Sequence, residues 1–243
     1  MRTVGIVQAR MTSTRLPGKI LIKVLGKPLL QYELERLKRV PSLDELVVAT
    51  TKNTADDPVV ALCDQMGVAS YRGSELDVLS RYHEAAALHG AETVVRYTAD
   101  CPLIDPGLSD SVIRHFLDSA GELDYCSLNI IDAYPRGTDT EVFSAAVLAE
   151  AFTEGTTEPD REHVTNFILN RPERYRILRM GCEKNLSVYR LTVDTPEDLT
   201  LVSRIIGAFC PQNPDFTIGD IIALLDAEPE LAKINEEVRQ RGI

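Results

Sequence analysis

Arg10, Arg15 and Lys19 stand within ten residues of one another, among Thr12, Ser13 and Thr14, and Pro17 and Gly18 bend the backbone between them. Cations beside small hydroxyls on a tight turn suit a polyphosphate. The apolar run 4–7 just upstream reads as a short buried strand, so this loop falls at a strand mouth, where ligands bind in open α/β sheets. Charge is distributed to match: the first 32 residues hold six of the 26 Lys/Arg and none of the 37 Asp/Glu, in a chain of net charge −11. A basic segment on an acidic protein points to a local anion site, since a nucleic-acid binder spreads its basic residues over a face. The P-loop pattern is absent, because Ser13 stands where it requires Gly and Ile20 where it requires Ser or Thr. Gly5 stands alone, so there is no G-x-G-x-x-G.

Two carboxylates complete the chemistry. Asp100 and Asp194 each follow an apolar run that reads as an interior strand. Singly, each suits a turn or cap; as a pair at strand ends they suit a hard divalent cation shared with substrate phosphates. Tyr71-Arg72-Gly73-Ser74, followed by Asp77 and Arg81, sits at another predicted strand end. There Gly73 lets the backbone approach a flat ring and Arg72 offers donors to a base edge. Two further polar segments, 136–141 and 160–165, carry groups that a hydroxylated substrate could use. No G-x-S-x-G and no Cys–His motif offers a nucleophile.

The elements that must position these residues alternate strand and helix from the start, the pattern of a parallel sheet covered by helices. Strands are expected at 4–7, 45–50, 68–71, 92–97, 125–129, 175–180 and 187–193. Helices are expected at 29–40, 55–66, 76–88, 106–119, 145–152, 160–169, 218–225 and 230–239, with another opening at Thr195-Pro196 as cap and first turn. No linker or repeat divides the chain, so residues 1–243 are expected to form a single domain, with 125–185 as an excursion carrying substrate or dimer contacts.

Composition sets the outer bounds. With 243 residues, 44% hydrophobic and 26% charged, the chain is an ordinary globular one. No apolar run approaches the ~20 residues of a membrane span. The first residues run straight into a predicted core strand, leaving no room for a signal peptide. Five scattered cysteines without C-x-x-C read as reduced thiols, the usage of a cytoplasmic protein.

The pattern Q-A-R-M-x-S-T-R-L-P-G-K, from Gln8 to Lys19, resembles the N-terminal signature of the cytidylyltransferases that activate sugar acids, and most nearly the spore-coat polysaccharide biosynthesis protein F group. The resemblance implies a nucleotide-diphospho-sugar transferase-like (Rossmann-like) α/β fold, a mixed sheet flanked by helices. It implies transfer of CMP from CTP to an acidic sugar, with Mg2+ as cofactor, no nucleic-acid or membrane partner, and a homodimer. Asp100 and Asp194, in A-D-x-P-L and V-D-T-P-E-D-L contexts, match the family's magnesium ligands. Arg10 and Lys19 then join them in catalysis, while Ala9, Arg10, Ser13, Arg15, Lys19, Arg72, Ser74 and Asp77 bind the nucleotide. The rival enzyme class is a GT-A-type glycosyltransferase using a nucleotide-sugar, but the D-x-D of such enzymes is missing here, with Asp139-Thr140-Glu141 the nearest approach. A third possibility is a silent relative that keeps only the fold; retention of both aspartates and all three loop cations argues against it.

Overall fold

The computed structural model describes residues 1–239. In chain order its strands are β1 (Thr3–Gln8), β2 (Lys23–Val24), β3 (Lys27–Pro28), β4 (Glu45–Thr51), β5 (Ala69–Gly73), β6 (Thr93–Thr98), β7 (Tyr125–Leu128), β8 (Glu141–Ser144) and β9 (Ile177–Met180). Between and after them run α1 (Leu29–Leu37), α2 (Asp57–Met66), α3 (Val78–Leu88), α4 (Pro106–Asp118), α5 (Ala145–Glu154), α6 (Glu158–Glu162), α7 (Asn166–Leu169), α8 (Pro196–Phe209), α9 (Ile218–Ala227) and α10 (Pro229–Ala232).

Seven strands form one mixed sheet in the order β5-β4-β1-β6-β8-β7-β9. β5, β4, β1 and β6 are parallel, β8 runs antiparallel to both β6 and β7, and β9 is parallel to β7. Strand periodicity sorts the core. Val4 and Ile6 face α3 and α5, where they meet Leu79, Tyr82 and Leu148, while Val7 faces the other way, onto the layer of Leu30, Leu34, Val59 and Ile113 from α1, α2 and α4. Paired on both edges and covered on both faces, β1 reads as an unbroken apolar run. A third cluster packs α8 and α9 over Leu103, Leu191, Val193 and Phe216.

Helix starts are set by short polar side chains. Asp77 accepts the Ser80 N–H and opens α3. Thr195 and Asp198 form a reciprocal capping box on α8, with Pro196 in its first turn. Asp105 does two jobs: Oδ1 accepts the Gly107 and Leu108 N–H groups of α4, and Oδ2 accepts Ile218 N–H at the start of α9. Behind it, the buried Arg36 guanidinium donates to the Ile104 and Phe216 carbonyls and lies 4.3 Å from the Phe216 ring centroid.

Three expected elements differ. The expected strand 187–193 is an extended segment that meets its neighbours only at single points, among them a bridge from Arg190 to Arg136 and the Val193 N–H donating to Asp100 O, so no ladder forms. The expected helix 160–169 breaks at His163, whose backbone is extended; just beyond it the Thr165 hydroxyl donates to Glu141, and two short helices replace one. The expected helix 230–239 reduces to α10 and a 3-10 turn, Lys233–Asn235, where the Asn235 amide turns inward to Arg190 O and Asp198. The stretch 125–185 supplies β7, β8 and β9 to the main sheet.

Asp105→Ala removes the cap of α4 and the acceptor for α9 together. We expect it to cost about 2–3 kcal/mol, one cap plus one stranded N–H, read as a lower urea midpoint by circular dichroism. Asp105→Asn should recover part of the loss; an unchanged midpoint in the alanine variant would contradict this account of how the two helices are tied.

Candidate active site

The loop after β1 is built by its backbone before its side chains are considered. Asp56, buried at the foot of α2, accepts the Met11 N–H at 2.7 Å, and the Met11 carbonyl in turn accepts from Ser13 and Gly18. Gly18 sits at φ +68, in the left-handed region where a side chain would be strained, and the chain then enters a 3-10 turn beginning at Lys19. That reversal carries the Lys19 side chain back toward the ends of the central strands.

There the charges converge. The Lys19 ammonium lies 2.9 Å from Asp100 Oδ2 and 2.9 Å from Asp194 Oδ1, and the Arg15 guanidinium lies 2.8 Å from the same Asp194 oxygen. Asp194 Oδ2 accepts from Arg190 at 2.7 Å. Arg190 also donates to the fully buried Asp198, which accepts the Asp194 and Thr195 N–H groups as well. Asp194 is therefore fixed at both its backbone and its carboxylate. Burial alone would push its carboxyl up, but Lys19, Arg15 and Arg190 outweigh burial and hold it below the usual range. For Lys19 burial works downward, and the two aspartates overcome it and raise the ammonium above its ordinary value. The segment carrying Asp194 is stitched to the end of β6 by the Thr192 hydroxyl and the Val193 N–H, both donating to Asp100 O.

The expected site residues separate into two groups. Ser13, Arg10, Arg15, Lys19, Asp100 and Asp194 line one cavity of about 250 Å³, and Ala9 sits beside it with Arg10 in a smaller recess shared with Arg81 and His163. Arg72, Ser74 and Asp77 are not brought to either. Arg72 donates to the Thr51 and Asn53 carbonyls and to Asp57, Ser74 Oγ accepts the Asp77 N–H, and Asp77 pairs with Arg161. These three build the junction between β5 and α3, whereas Arg81, in the first turn of α3 and 1% exposed, is the charged residue of that segment that lines the recess.

A larger cavity of about 480 Å³ opens beside the cationic one and shares Arg15, Asp100 and Asp194 with it. Its wall comes from β6, β7, β8 and the loops around them, including Arg96, Asn129, Arg136, Asp139, Glu141, His163 and Arg179. Glu141 anchors that wall, pairing with Arg96 and accepting from the Tyr125 and Thr165 hydroxyls. At the shared edge two carboxylates converge on the Lys19 ammonium. Among the described residues no cluster of three or more His, Cys, Asp or Glu is placed to hold a metal. Two hard carboxylates that leave the remaining positions to phosphate oxygens and water fit a magnesium-type site.

Sequence reasoning missed Asp56, Arg190 and Asn235, which support the site from behind. Asp198 had a signal, the capping box spacing from Thr195; Arg190 had none, because only the folded chain shows what it pairs with.

A mixed α/β sheet with a cationic loop, a carboxylate just past β6 and a second on a segment bonded to it is the arrangement of a nucleotidyltransferase. A family model described as Cytidylyltransferase matches residues 4–224. The chain is 36% identical over 245 residues to an uncharacterized protein of Methanocaldococcus jannaschii, covering 100% of this chain and 98% of that one. It is 32% identical over 238 residues to the spore coat polysaccharide biosynthesis protein SpsF of Bacillus subtilis, covering 95% and 97%. Among solved structures, a cytidylyltransferase from Leptospira borgpetersenii superposes with a TM-score of 0.92 at 30% identity over the whole of both chains. CMP:2-keto-3-deoxy-manno-octonic acid synthetase complexed with CTP superposes at 0.63, at 18% identity, covering 86% and 99%, a likeness of fold alone. The chain belongs to the cytidylyltransferase family, and it is an enzyme of that class. No helix among the described residues is long and apolar enough to cross a membrane.

The charge cluster sets a pH window. Asp194, depressed when folded, contributes stability above the unfolded value near 3.9 that is lost as pH falls through the folded value; Lys19, raised, contributes below about 10.4 and loses it as pH rises through its folded value. We expect Lys19→Met, which leaves two carboxylates facing each other, to cost about 3 kcal/mol at pH 7. In urea titrations the deficit should shrink as the pH is lowered below 4; a deficit that does not change with pH would contradict the assignment.

Proposed function

We propose that the enzyme transfers CMP from CTP to a hydroxyl of an acidic sugar and releases pyrophosphate, with Mg2+ held by Asp100 and Asp194. The observation that carries this reading is the convergence of Lys19 and Arg15 on those two carboxylates, at an edge shared by a cationic cavity and a roomier one. The smaller cavity suits a triphosphate. Arg10 at its exposed rim, with Ser13, Arg15 and Lys19 inside, offers charge and hydroxyl contacts to the phosphates and offsets charge that builds on the departing pyrophosphate. The larger one has the size of a sugar site and presents Arg136 and Arg179 for an acid group.

Asp100 and Asp194 would hold the Mg2+, which would neutralise and polarise the phosphate under attack. The chain's own part is orientation. Arg190 and Asp198 fix the Asp194 carboxylate, and the Thr192 and Val193 contacts hold Asp100 in register with it. Family membership supports cytosine as the base, and the recess by Ala9, Arg10 and Arg81 offers a place for it. The acidic acceptor draws support from a 3-deoxy-manno-octulosonate cytidylyltransferase of Solibacter usitatus, 32% identical over 245 residues, covering 85% of this chain and 95% of that one. A surface polysaccharide is a fitting destination for the product, as the name of the Bacillus subtilis relative suggests.

Pyrophosphate release from CTP, UTP, ATP and GTP, each tested with 3-deoxy-manno-octulosonate, N-acetylneuraminate and glucuronate, is the direct test. Release with CTP and an acidic sugar is expected, and dependent on Mg2+. Preference for another nucleotide would refute the cytosine reading, and a larger thermal shift from UDP-sugars than from CTP with Mg2+ would favour a glycosyltransferase. Asp194→Asn should lower turnover by at least about 10²-fold while leaving the far-ultraviolet circular dichroism spectrum unchanged; near-normal turnover with Mg2+ would end the metal assignment.

A further inference from the structure

Among the described residues, the wall of the larger cavity contains one carboxylate with no ion-pair partner. Asp139 uses Oδ2 to accept the Gly137 N–H at 2.7 Å, and among the described residues Oδ1 has no protein partner. Glu141, two residues on, is unlike it: both its oxygens are engaged, by Arg96 on one side and by Tyr125 and Thr165 on the other. Asp139 lines the same cavity as Asp100, Asp194 and Arg15.

Its loop is held against the metal-side wall. Gly137 has φ +102, and a Cβ there would come within 2.6 Å of the Leu191 carbonyl carbon and the Thr192 nitrogen, so the loop packs backbone to backbone on the segment leading to Asp194. The Leu191 N–H donates to Arg136 O at 2.7 Å, and the Thr138 hydroxyl donates to Pro135 O at 2.7 Å. A carboxylate on so fixed a loop, lining the cavity that Asp100 and Asp194 also line, is placed where a general base has to be, near the proton it takes.

Resting on the function proposed above, we propose that Asp139 is the general base of the transfer. The acceptor hydroxyl oxygen forms a bond to the α-phosphorus of CTP. The bond from that phosphorus to the bridging oxygen of the β-phosphate breaks, and pyrophosphate leaves with the electron pair. The hydroxyl proton goes to Asp139 Oδ1 and then to solvent. The surroundings favour this role: burial pushes the Asp139 carboxyl above its usual value, with Glu141 and Asp100 adding to the rise and the Gly137 N–H and Arg136 opposing it. A carboxylate whose affinity for protons is raised is a better acceptor at neutral pH.

The experiment uses the full chain with CTP and Mg2+ against the same three acids. Asp139→Asn keeps an acceptor for Gly137 N–H, so the loop should survive, and the thermal shift on adding CTP with Mg2+ should match that of wild type. We expect kcat to fall by about 10²- to 10³-fold, with the KM for CTP changed by less than about threefold. Asp139→Ala should regain at least about tenfold of its lost rate in added formate, which can enter the vacated space and take the proton, whereas Asp139→Asn should not. A kcat within twofold of wild type in the asparagine variant, a loss confined to the KM of the acid, or absence of formate rescue would each overturn the assignment. A wild-type chain that turns over none of the acids would instead sink the function beneath it, and the base with it.

Discussion

A single ammonium group holds this site together. Lys19 reaches carboxylates 81 and 175 positions away in sequence and sits between them, largely removed from water. Two like charges drawn that close in a partly buried place repel unless a cation stands between them, and Arg15 and Arg190 add to the neutralisation on the Asp194 side. The loop geometry follows from the same requirement. Asp56 and Gly18 turn the backbone so that the lysine points inward, and the capping box of α8 fixes where Asp194 must be met.

The two cavities inherit their relationship from the segment 190–194. It is bonded to the end of β6 on one side and to the 136–137 turn on the other, so the wall of the smaller cationic cavity and that of the larger one share one backbone. That sharing explains why the segment is not a strand. Its backbone groups are claimed at single points by two different neighbours, and its residues alternate between supporting the site and packing under α8 and α9. A site built this way needs little movement to bring two substrates into register, because the alignment of its walls is already fixed by hydrogen bonds.

Much of the frame was legible in the residues. The apolar run of β1, the Pro-initiated helices α4 and α8 and the cationic loop each carry a local signal whose physics does not depend on the rest of the chain. Asp100 follows β6 as its apolar run indicated, whereas the run before Asp194 forms no strand, and that carboxylate is placed by bonds to Asp100 O and by the capping box of α8. The base-side assignment illustrates the limit. Arg72 has the right type and stands at a strand end, yet its guanidinium turns back onto Thr51, Asn53 and Asp57. Arg81, in the first turn of α3, lines the recess instead.

What the sequence determined by itself is therefore the chemistry on offer: which residues carry charge, which turns can bend, and which strands must be buried. These depend on spacing and residue type over a few positions. Only the tertiary structure decided which charges meet. Pairing across 81 or 175 positions, the inward turn of Asn235, and the division of one surface into a smaller cationic cavity and a larger neighbour are set by packing of distant segments, and no local pattern encodes the direction in which a long side chain will finally point.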